Sequence, residues 1–442
     1  TFTYSGGAFT PSSPSNISLA GSIITSSTTA GAGTITLGDG DTTLATTTNV
    51  TMNSSASNGN ISIASAISGG TKDLTVNAGT GTISITSALS NMGNLSFTGN
   101  EINWSASVDG IGTLTLKPTT TTYVINVGDT TDAGAATLDI LSSEIALLGT
   151  NFTNITFGGA SQTGNISLKS SLTAPGTATV TFDGPLVLNA ARTITASTVT
   201  AKTINGSSAA LTITGNAVFN GAVTSVTNLS VSGTSAINAN ITTSGTQGYT
   251  GNATLGAGVT LTTTNSNITF SGTLNSATSA RALTIAAGTG TVTFTGAVGG
   301  TLALGATSIT AGSVVHSSTL AGNSTYAITG NASFGGAVTG ITNLSVSGTS
   351  AINANITTTG TQTYTGAVTL GADVSLNTTN SFVLFSSTVN SDSTTPRALT
   401  VNVGTSNITF TGAVGGAQGL GNISLTSTGT TTISSTVVAS TF

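Results

Sequence analysis

Acidic residues beside glycine are the first candidates for chemistry in this sequence of 442 residues. Asp39 and Asp41 lie in the string Gly-Asp-Gly-Asp, and Asp129 and Asp132 lie in Gly-Asp-Thr-Thr-Asp. Carboxylate oxygens are the ligands that calcium prefers, but aspartate beside glycine is also typical of tight turns. The nonapeptide signature of calcium-binding coils is absent. We favour turns, so the sequence predicts no metal site and no cofactor, with these four aspartates as weak calcium candidates.

Catalytic side chains are scarce. Hydrolysis needs paired carboxylates, or a nucleophile with a base. His316 is the single histidine, which excludes a histidine-rich metal cluster and argues against a Ser-His-Asp triad; a surface or turn position is expected for it. Asp183, near Arg192 and Lys202, could mimic the cleft of a pectin-cleaving β-helix, but no further acids follow nearby. The sequence therefore predicts that the chain is not an enzyme.

Three further patterns could mark surface functions. Glu101 and Trp104 could form a platform for a sugar, although a single aromatic residue on a strand is more often packed. The Thr-x-Thr strands suggest an ice-binding ladder, but their varied spacing argues against a flat array. Asn-x-Ser/Thr triplets are acceptors for N-glycosylation in principle, and in a chain this rich in Asn, Ser and Thr most arise by chance; they include Asn154, Asn240, Asn267, Asn355 and Asn407.

The composition restricts the partners of the chain. Only 4% of the residues are charged, against roughly 25% in an ordinary soluble domain. The seven Lys and Arg residues are scattered, so they cannot form the basic surface that nucleic acid requires. No apolar run approaches the roughly 20 residues of a membrane helix. With few groups to titrate, stability is expected to change little between acidic and neutral pH.

Internal repetition is the strongest signal in the sequence. Residues 228–243 and 343–358 are identical, at an offset of 115 residues. Ile213-Thr-Gly-Asn-Ala recurs as Ile328-Thr-Gly-Asn-Ala, and the stretch at 293–300 recurs at 409–416 after one inserted residue. We therefore divide the chain into diverged repeats at 1–212, repeat copy A at 213–327 and repeat copy B at 328–442. These boundaries lie within a single predicted domain, 1–442.

Short strands recur inside the repeat. Segments such as Ile268-Thr-Phe and Leu283-Thr-Ile place apolar residues two apart, which puts them on one face of a strand. Gly, Asn, Ser and Asp lie between the segments and favour turns. Such strands fit either a stack of coils or a string of sandwich domains. The absence of linkers and the small inward residues favour an all-β parallel β-helix (a β-solenoid) of roughly 20 residues per rung, with no significant helix.

The repeat style resembles a known group of proteins. Ile356-Thr-Thr-Thr-Gly-Thr-Gln-Thr-Tyr-Thr-Gly-Ala-Val-Thr-Leu-Gly-Ala-Asp373, Ala398-Leu-Thr-Val and Ile408-Thr-Phe-Thr-Gly-Ala-Val-Gly-Gly416 resemble repeats of giant bacterial surface exoproteins, the filamentous-haemagglutinin-like, two-partner-secretion and autotransporter-like adhesins. The resemblance is clearest over 213–425 and implies a right-handed coil and export. The Asn-Pro-Asn-Gly-type signature of the secretion domain is absent, so the resemblance leaves the export route open.

These observations predict an extracellular or cell-surface structural protein, a shaft or filament. Its expected partners are copies of itself or further repeats of the same polypeptide. The alternative is an adhesin stalk or a glycan-binding surface protein, whose partners would be glycans or a host or neighbouring cell surface. A carbohydrate-active β-helix enzyme is the remote alternative. Neither nucleic acid nor a transmembrane segment is expected.

Overall fold

A computed structural model describes residues 2–4, 18–25, 33–38, 43–132, 134, 136–322, 324–393 and 395–442. These residues form two compact units, Thr1–Gly221 and Ala222–Phe442. Both are parallel β-solenoids with about 21 residues per turn, which confirms the predicted fold class and the rung length. Continuity of a single domain over 1–442 stays a prediction.

The described residues of the N-terminal unit form twenty-two strands and one four-residue helix. They are β1 Phe2–Tyr4, β2 Ser18–Leu19, β3 Ile23–Thr25, β4 Ile35–Leu37, β5 Thr43–Thr46, β6 Val50–Asn53, β7 Ile61–Ile63, β8 Ala66–Ser68, β9 Leu74–Asn77, β10 Thr82–Ile85, β11 Leu89–Met92, β12 Leu95–Thr98, β13 Glu101–Trp104, β14 Val108–Gly110, β15 Thr113–Lys117, β16 Val124–Asp129, β17 Thr137–Leu141, α1 Ser142–Ile145, β18 Asn154–Gly158, β19 Ile166–Leu168, β20 Leu172–Thr173, β21 Thr179–Leu188 and β22 Arg192–Phe219.

Successive coils of this unit pair along three ladders. One ladder runs through β6, β9, β12 and β15, a second through β4, β7, β10 and β13, and a third through β5, β8, β11 and β14. All these pairings are parallel; Leu74, for example, pairs with Leu95 of the next coil, and the register shifts between Leu89 and Met92 where β11 pairs with β14. Stacking of this kind lets the backbone N–H and C=O groups pair between coils without help from side chains.

One coil of the N-terminal unit carries an extra segment. Leu114 of β15 pairs with Ile155 of β18, so the chain takes 41 residues to return to this ladder. The extra residues form β16, β17 and α1, and β16 pairs in parallel with both β17 and β19. Consecutive residues are buried in β16 and β17, whereas buried and less buried residues alternate in strands such as β13 and β15. Both faces of these two strands are therefore covered.

The C-terminal unit contains twenty-seven strands and no helix among its described residues. They are β23 Val223–Val231, β24 Ser235–Ile237, β25 Ile241–Thr243, β26 Gln247–Tyr249, β27 Ala253–Leu255, β28 Val259–Thr262, β29 Ile268–Phe270, β30 Leu274–Ser276, β31 Leu283–Ala286, β32 Thr291–Phe294, β33 Thr307–His316, β34 Leu320–Ala321, β35 Tyr326–Phe334, β36 Val338–Ile341, β37 Leu344–Val346, β38 Ser350–Ile352, β39 Ile356–Thr358, β40 Gln362–Tyr364, β41 Val368–Leu370, β42 Val374–Asn377, β43 Val383–Phe385, β44 Val389–Ser391, β45 Leu399–Asn402, β46 Ile408–Phe410, β47 Leu420–Thr426, β48 Thr431–Ile433 and β49 Ala439–Thr441.

The coils of this unit also pair along three ladders. The chain runs through β26, β27 and β28, and then β29, β30 and β31 pair with these strands in the same order. The distance along the chain between paired residues varies, from 17 residues for Val226 and Thr243 to 25 for Phe385 and Phe410. The turns between the strands differ in length from coil to coil, so the strands of successive coils still pair with one another.

The interior contains stacked aromatic rings as well as small aliphatic side chains. Tyr249, Phe270, Phe294, His316 and Phe334 are register partners on successive coils. The Phe270 and Phe294 ring centroids lie 5.4 Å apart with 6° between the ring planes. Adjacent coils lie about 4.8 Å apart, so parallel register places rings at stacking distance. The small aliphatic side chains expected in the interior are present, and these stacked rings were not expected.

The long sequence repeat does not contain a whole number of coils. Within the C-terminal unit, the ladder that starts at Leu229 passes through Gln247, Ile268, Val292, Val314 and Ala332 and reaches Ser350. In the second copy, the counterpart of Leu229 is Leu344 and the counterpart of Ser235 is Ser350. Leu344 lies on a different ladder, paired with Tyr326. Each residue of the second copy therefore lies one face further round the coil than its counterpart in the first copy.

Candidate functional site

The extra segment of the N-terminal unit brings together four carboxylic acids. Glu144 of α1 is buried and reaches back to β13. Its Oε1 accepts a hydrogen bond of 3.0 Å from the backbone N–H of Trp104, and its Oε2 accepts one of 2.8 Å from that of Leu141. The carboxylate thus satisfies two backbone donors that lie on different elements, which fixes α1 against the end of the β13 ladder.

Two of these acids have strongly raised pKa values. Burial raises the pKa of Glu101 to about 7, and the neighbouring charges of Asp132, Asp139 and Glu144 add to this effect. Burial also raises the pKa of Glu144 to about 7, against the opposing effect of its two backbone hydrogen bonds. Desolvation and like charges both disfavour the ionised form of a carboxyl group. Near neutral pH these side chains therefore exchange protons, as a general acid must.

A pocket of about 340 Å³ opens beside this cluster, and Asn103, Trp104, Asp132 and Glu144 contribute to its lining. Glu144 uses both carboxylate oxygens on the backbone, which is a positioning role. Asp139 is buried and accepts a hydrogen bond of 2.6 Å from Asn126. In the part of the chain that the structure describes, no group of three or more His, Cys, Asp or Glu side chains is arranged to hold a metal ion.

The calcium candidates take turn-like roles where the structure describes them. Asp129 ends β16, and its Oδ1 accepts a hydrogen bond of 2.8 Å from the N–H of Thr130. Asp132 accepts one of 2.9 Å from the N–H of Gly134. Both contacts are local bonds of aspartate to the following backbone. Asp39 and Asp41 lie outside the described residues.

Trp104 is packed and does not form an exposed platform. Only 4% of its surface is exposed, and its Nε1–H donates a hydrogen bond of 2.7 Å to the backbone oxygen of Glu144. Glu101 starts the same strand and is partly exposed. The indole therefore anchors the extra segment, while the faces of its ring are unavailable to a sugar.

Of the three residues that could mimic a pectin-cleaving cleft, the structure brings together Asp183 and Lys202 but not Arg192. Lys202 Nζ lies 2.6 Å from Asp183 Oδ1, in an ion pair on the surface. The Nε–H of Arg192 instead donates a hydrogen bond of 2.9 Å to the backbone oxygen of Leu168, and its NH2 group donates to that of Lys169. Arg192 therefore caps carbonyl groups of the preceding coil and does not face Asp183.

His316 does not lie on the surface or in a turn, and that expectation was wrong. It ends β33 with 1% of its surface exposed, stacked on Phe294 with ring centroids 4.7 Å apart and on Phe334 at 5.9 Å. Its Nε2 lies 2.9 Å from the hydroxyl of Tyr326. Burial lowers the pKa of His316 to about 3, because the imidazolium would lose its hydration. The period-two pattern Val314-x-His316 was a usable signal for this inward position.

Asparagine side chains hold successive coils together at the corners. Asn240 Oδ1 accepts a hydrogen bond of 2.8 Å from the N–H of Thr260, and its counterpart Asn355 does the same with Ser375. Asn267 and Asn407 accept equivalent bonds from Thr291 and Thr430. These four residues start Asn-Ile-Thr triplets, so a structural role accounts for the sequence pattern: asparagine pairs with the next coil and isoleucine enters the core.

Comparisons with known proteins identify no relative. No protein-family model, no curated protein and no solved structure matches the chain. Among the described residues, no helix is long and apolar enough to cross a membrane. The class of protein that the fold defines is thus the parallel β-solenoid, built on a sequence repeat.

The raised pKa values of the acid cluster predict the pH dependence of the N-terminal unit. The folded unit binds more protons than the unfolded chain between pH 4.5 and pH 7. Its stability is therefore expected to fall as the pH rises through this range. Trp104 lies beside Glu144, so the denaturation midpoint can be followed by tryptophan fluorescence. We expect a higher midpoint at pH 5 than at pH 8, and a smaller difference in Glu101→Gln; an unchanged difference in the variant would contradict the assignment.

Proposed function

We propose that this chain is a structural β-solenoid of the cell surface, which serves as part of a shaft or filament. One observation carries the proposal: the second copy of the repeat is rotated by one face relative to the first, so identical sequences point in different directions. A surface that binds one flat ligand needs its copies in phase on one face. A shaft needs only continued stacking, to which any face contributes equally.

The outer surface of the C-terminal unit supports the same proposal. The outward-facing residues next to Leu344 and its register partners form a column along the coils. Ala327 and Leu384 interrupt this column, whose other members include Thr284, Ser308, Ser345, Thr363 and Thr409. An ice-binding array requires an unbroken row of threonines. The proposal also assigns no catalysis to the chain, since Glu144 uses its carboxylate on backbone groups and His316 is buried.

Electron microscopy of the source cells tests both location and architecture. Gold-labelled antibodies raised against the chain are expected to decorate thin fibres on intact, unpermeabilised cells, and cells that lack the gene serve as the control. Label that appears only after permeabilisation would overturn the location. Label on surface rods of one fixed length, each with a distinct tip, would replace the filament with the adhesin stalk.

A further inference from the structure

A cleft of about 400 Å³ lies on the outer surface of the N-terminal unit, apart from the acid cluster. Its floor contains Asn77, Thr98 and Lys117, which are register neighbours on three successive coils. Its walls come from the segments 118–121 and 159–162, which include Thr121 and Ser161. Besides Pro118, Gly159 and Ala160, the lining thus presents hydroxyl and amide groups around a single ammonium group.

The walls of this cleft are fixed by hydrogen bonds within the chain. Gln162 is buried, and its Nε2 donates hydrogen bonds of 2.7 Å to the backbone oxygen of Tyr123 and 3.1 Å to that of Gly164. On the opposite wall the N–H of Thr120 donates one of 3.0 Å to Asn100 Oδ1. Lys202, already paired with Asp183, donates one of 3.2 Å to the backbone oxygen of Ala160. A site held in this way loses little conformational freedom on binding.

The charge of Lys117 has no partner in the described part of the chain. The two ion pairs found there are Lys202 with Asp183 and Arg397 with Asp392. Lys117 is partly buried, and its stem passes Gly159, where an added Cβ would lie 3.4 Å from the lysine Cδ. A chain with seven basic residues and a net charge of −5 thus places one cation in a polar cleft without a counter-ion.

We propose that this cleft binds a hexuronic acid residue of an acidic polysaccharide. The carboxylate of the sugar would pair with the Lys117 ammonium group, and its hydroxyls would hydrogen-bond with Asn77, Thr98 and Ser161. One cation matches the single negative charge of a uronate. A phosphate dianion would leave one charge unmatched, and a neutral sugar would leave the ammonium group desolvated without compensation.

Calorimetric titration of the full chain with an oligogalacturonate tests the proposal. We expect saturable binding that weakens with added salt, because the central contact is ionic. Lys117→Gln is expected to weaken it at least tenfold, and Lys117→Arg to retain most of it. Lys72→Gln is the matched control, since it removes the same charge at a position that does not line the cleft. Lys117 lies on the outer face of its strand, and a thermal melt of each variant checks folding.

Several results would overturn the proposal. Absence of binding by the native chain would do so directly, and so would equal losses in Lys117→Gln and Lys72→Gln. Equal affinity for a neutral oligogalactan would show that the carboxylate is not recognised. Displacement of the oligogalacturonate by inorganic phosphate at the same concentration would assign the cleft to small anions instead. None of these results depends on whether the chain forms filaments.

Discussion

Lowering the pH from 7.5 to 4.5 is expected to lower the unfolding free energy of Ala222–Phe442 by about 3 kcal/mol. The buried imidazole of His316 has a pKa lowered to about 3 from its ordinary 6.5. As the pH falls through 6.5, His316 of the unfolded chain therefore takes up a proton, whereas His316 of the folded unit stays neutral until the pH approaches 3. The stabilisation is complete above pH 6.5 and is lost progressively as the pH falls towards 3. This replaces the expectation, from composition alone, of stability that barely changes with pH.

Two variants isolate this effect. Tyr326→Phe removes the hydroxyl that contacts His316 Nε2 but keeps the imidazole, so its pH dependence should persist. The double variant Tyr326→Phe with His316→Phe continues the stack of Phe294 and Phe334 and removes the titrating group, so its stability should vary much less. Hydrogen exchange of peptides from β33 and β35 gives the local readout. Equal pH dependence in the two variants would refute the role of His316.

The same acidification should act in the opposite direction on the N-terminal unit. The pKa values of Glu101 and Glu144 are raised to about 7, so their protonation at lower pH relieves the cost of burying charge. Measurements that average over the whole chain would mix the two effects. Trp104 fluorescence for one unit and local hydrogen exchange for the other keep them apart.

The fold could be predicted from sequence because its signal is periodic and local. Segments such as Ile268-Thr-Phe alternate apolar and polar residues, and the structure buries Ile268 and Phe270 on either side of Thr269. The repeated corners supplied the second signal, since Gly and Asn recur between the strands. These features need no knowledge of distant contacts, which is why they sufficed for the parallel coil and its rung length.

The ring stacks and the acid cluster could not be predicted in the same way. Which residue lies above which depends on the length of every corner, and Phe270 is 24 residues from Phe294 while His316 is 18 from Phe334. The cluster depends on the extra segment that places Glu144 against Trp104, 40 residues earlier. Neither corner lengths nor the path of β16 and β17 leaves a periodic trace in the sequence.

The rotation of the second repeat copy has a consequence for the core. The stack of copy A starts at Tyr249, whereas its counterpart in copy B, formed by Tyr364, Phe385 and Phe410, lies on the ladder of Leu344. Each tyrosine hydroxyl donates a hydrogen bond of 3.0 Å to the equivalent glutamine, to Gln247 Oε1 in one copy and to Gln362 Oε1 in the other. The same repeat sequence thus packs equally well on different faces of the solenoid. The repeat specifies how a coil is formed but not which face each of its strands occupies.

Gly330→Ala is expected to destabilise the C-terminal unit by about 3 kcal/mol or more. Gly330 turns the chain within β35 from the ladder of Ile328 to that of Ala332, with a φ of +135° that only glycine adopts readily. An alanine Cβ there would lie 1.8 Å from the backbone oxygen of Ala311. Since that oxygen belongs to the coil below, relief of the overlap requires the two coils to separate.

Gly248→Ala is the matched control in the same unit. Its added Cβ would meet nothing closer than the backbone oxygen of Leu229 at 3.9 Å, and the second copy carries Thr363 at this position. Alanine in a strand costs less conformational entropy than glycine, so an unchanged or slightly raised stability is expected. Guanidinium unfolding of both variants, followed by circular dichroism and by hydrogen exchange of β35, gives the comparison. If Gly330→Ala unfolded at the wild-type midpoint, the corner would be able to accept a Cβ without separation of the two coils. That result would contradict the close approach of the coils at this corner.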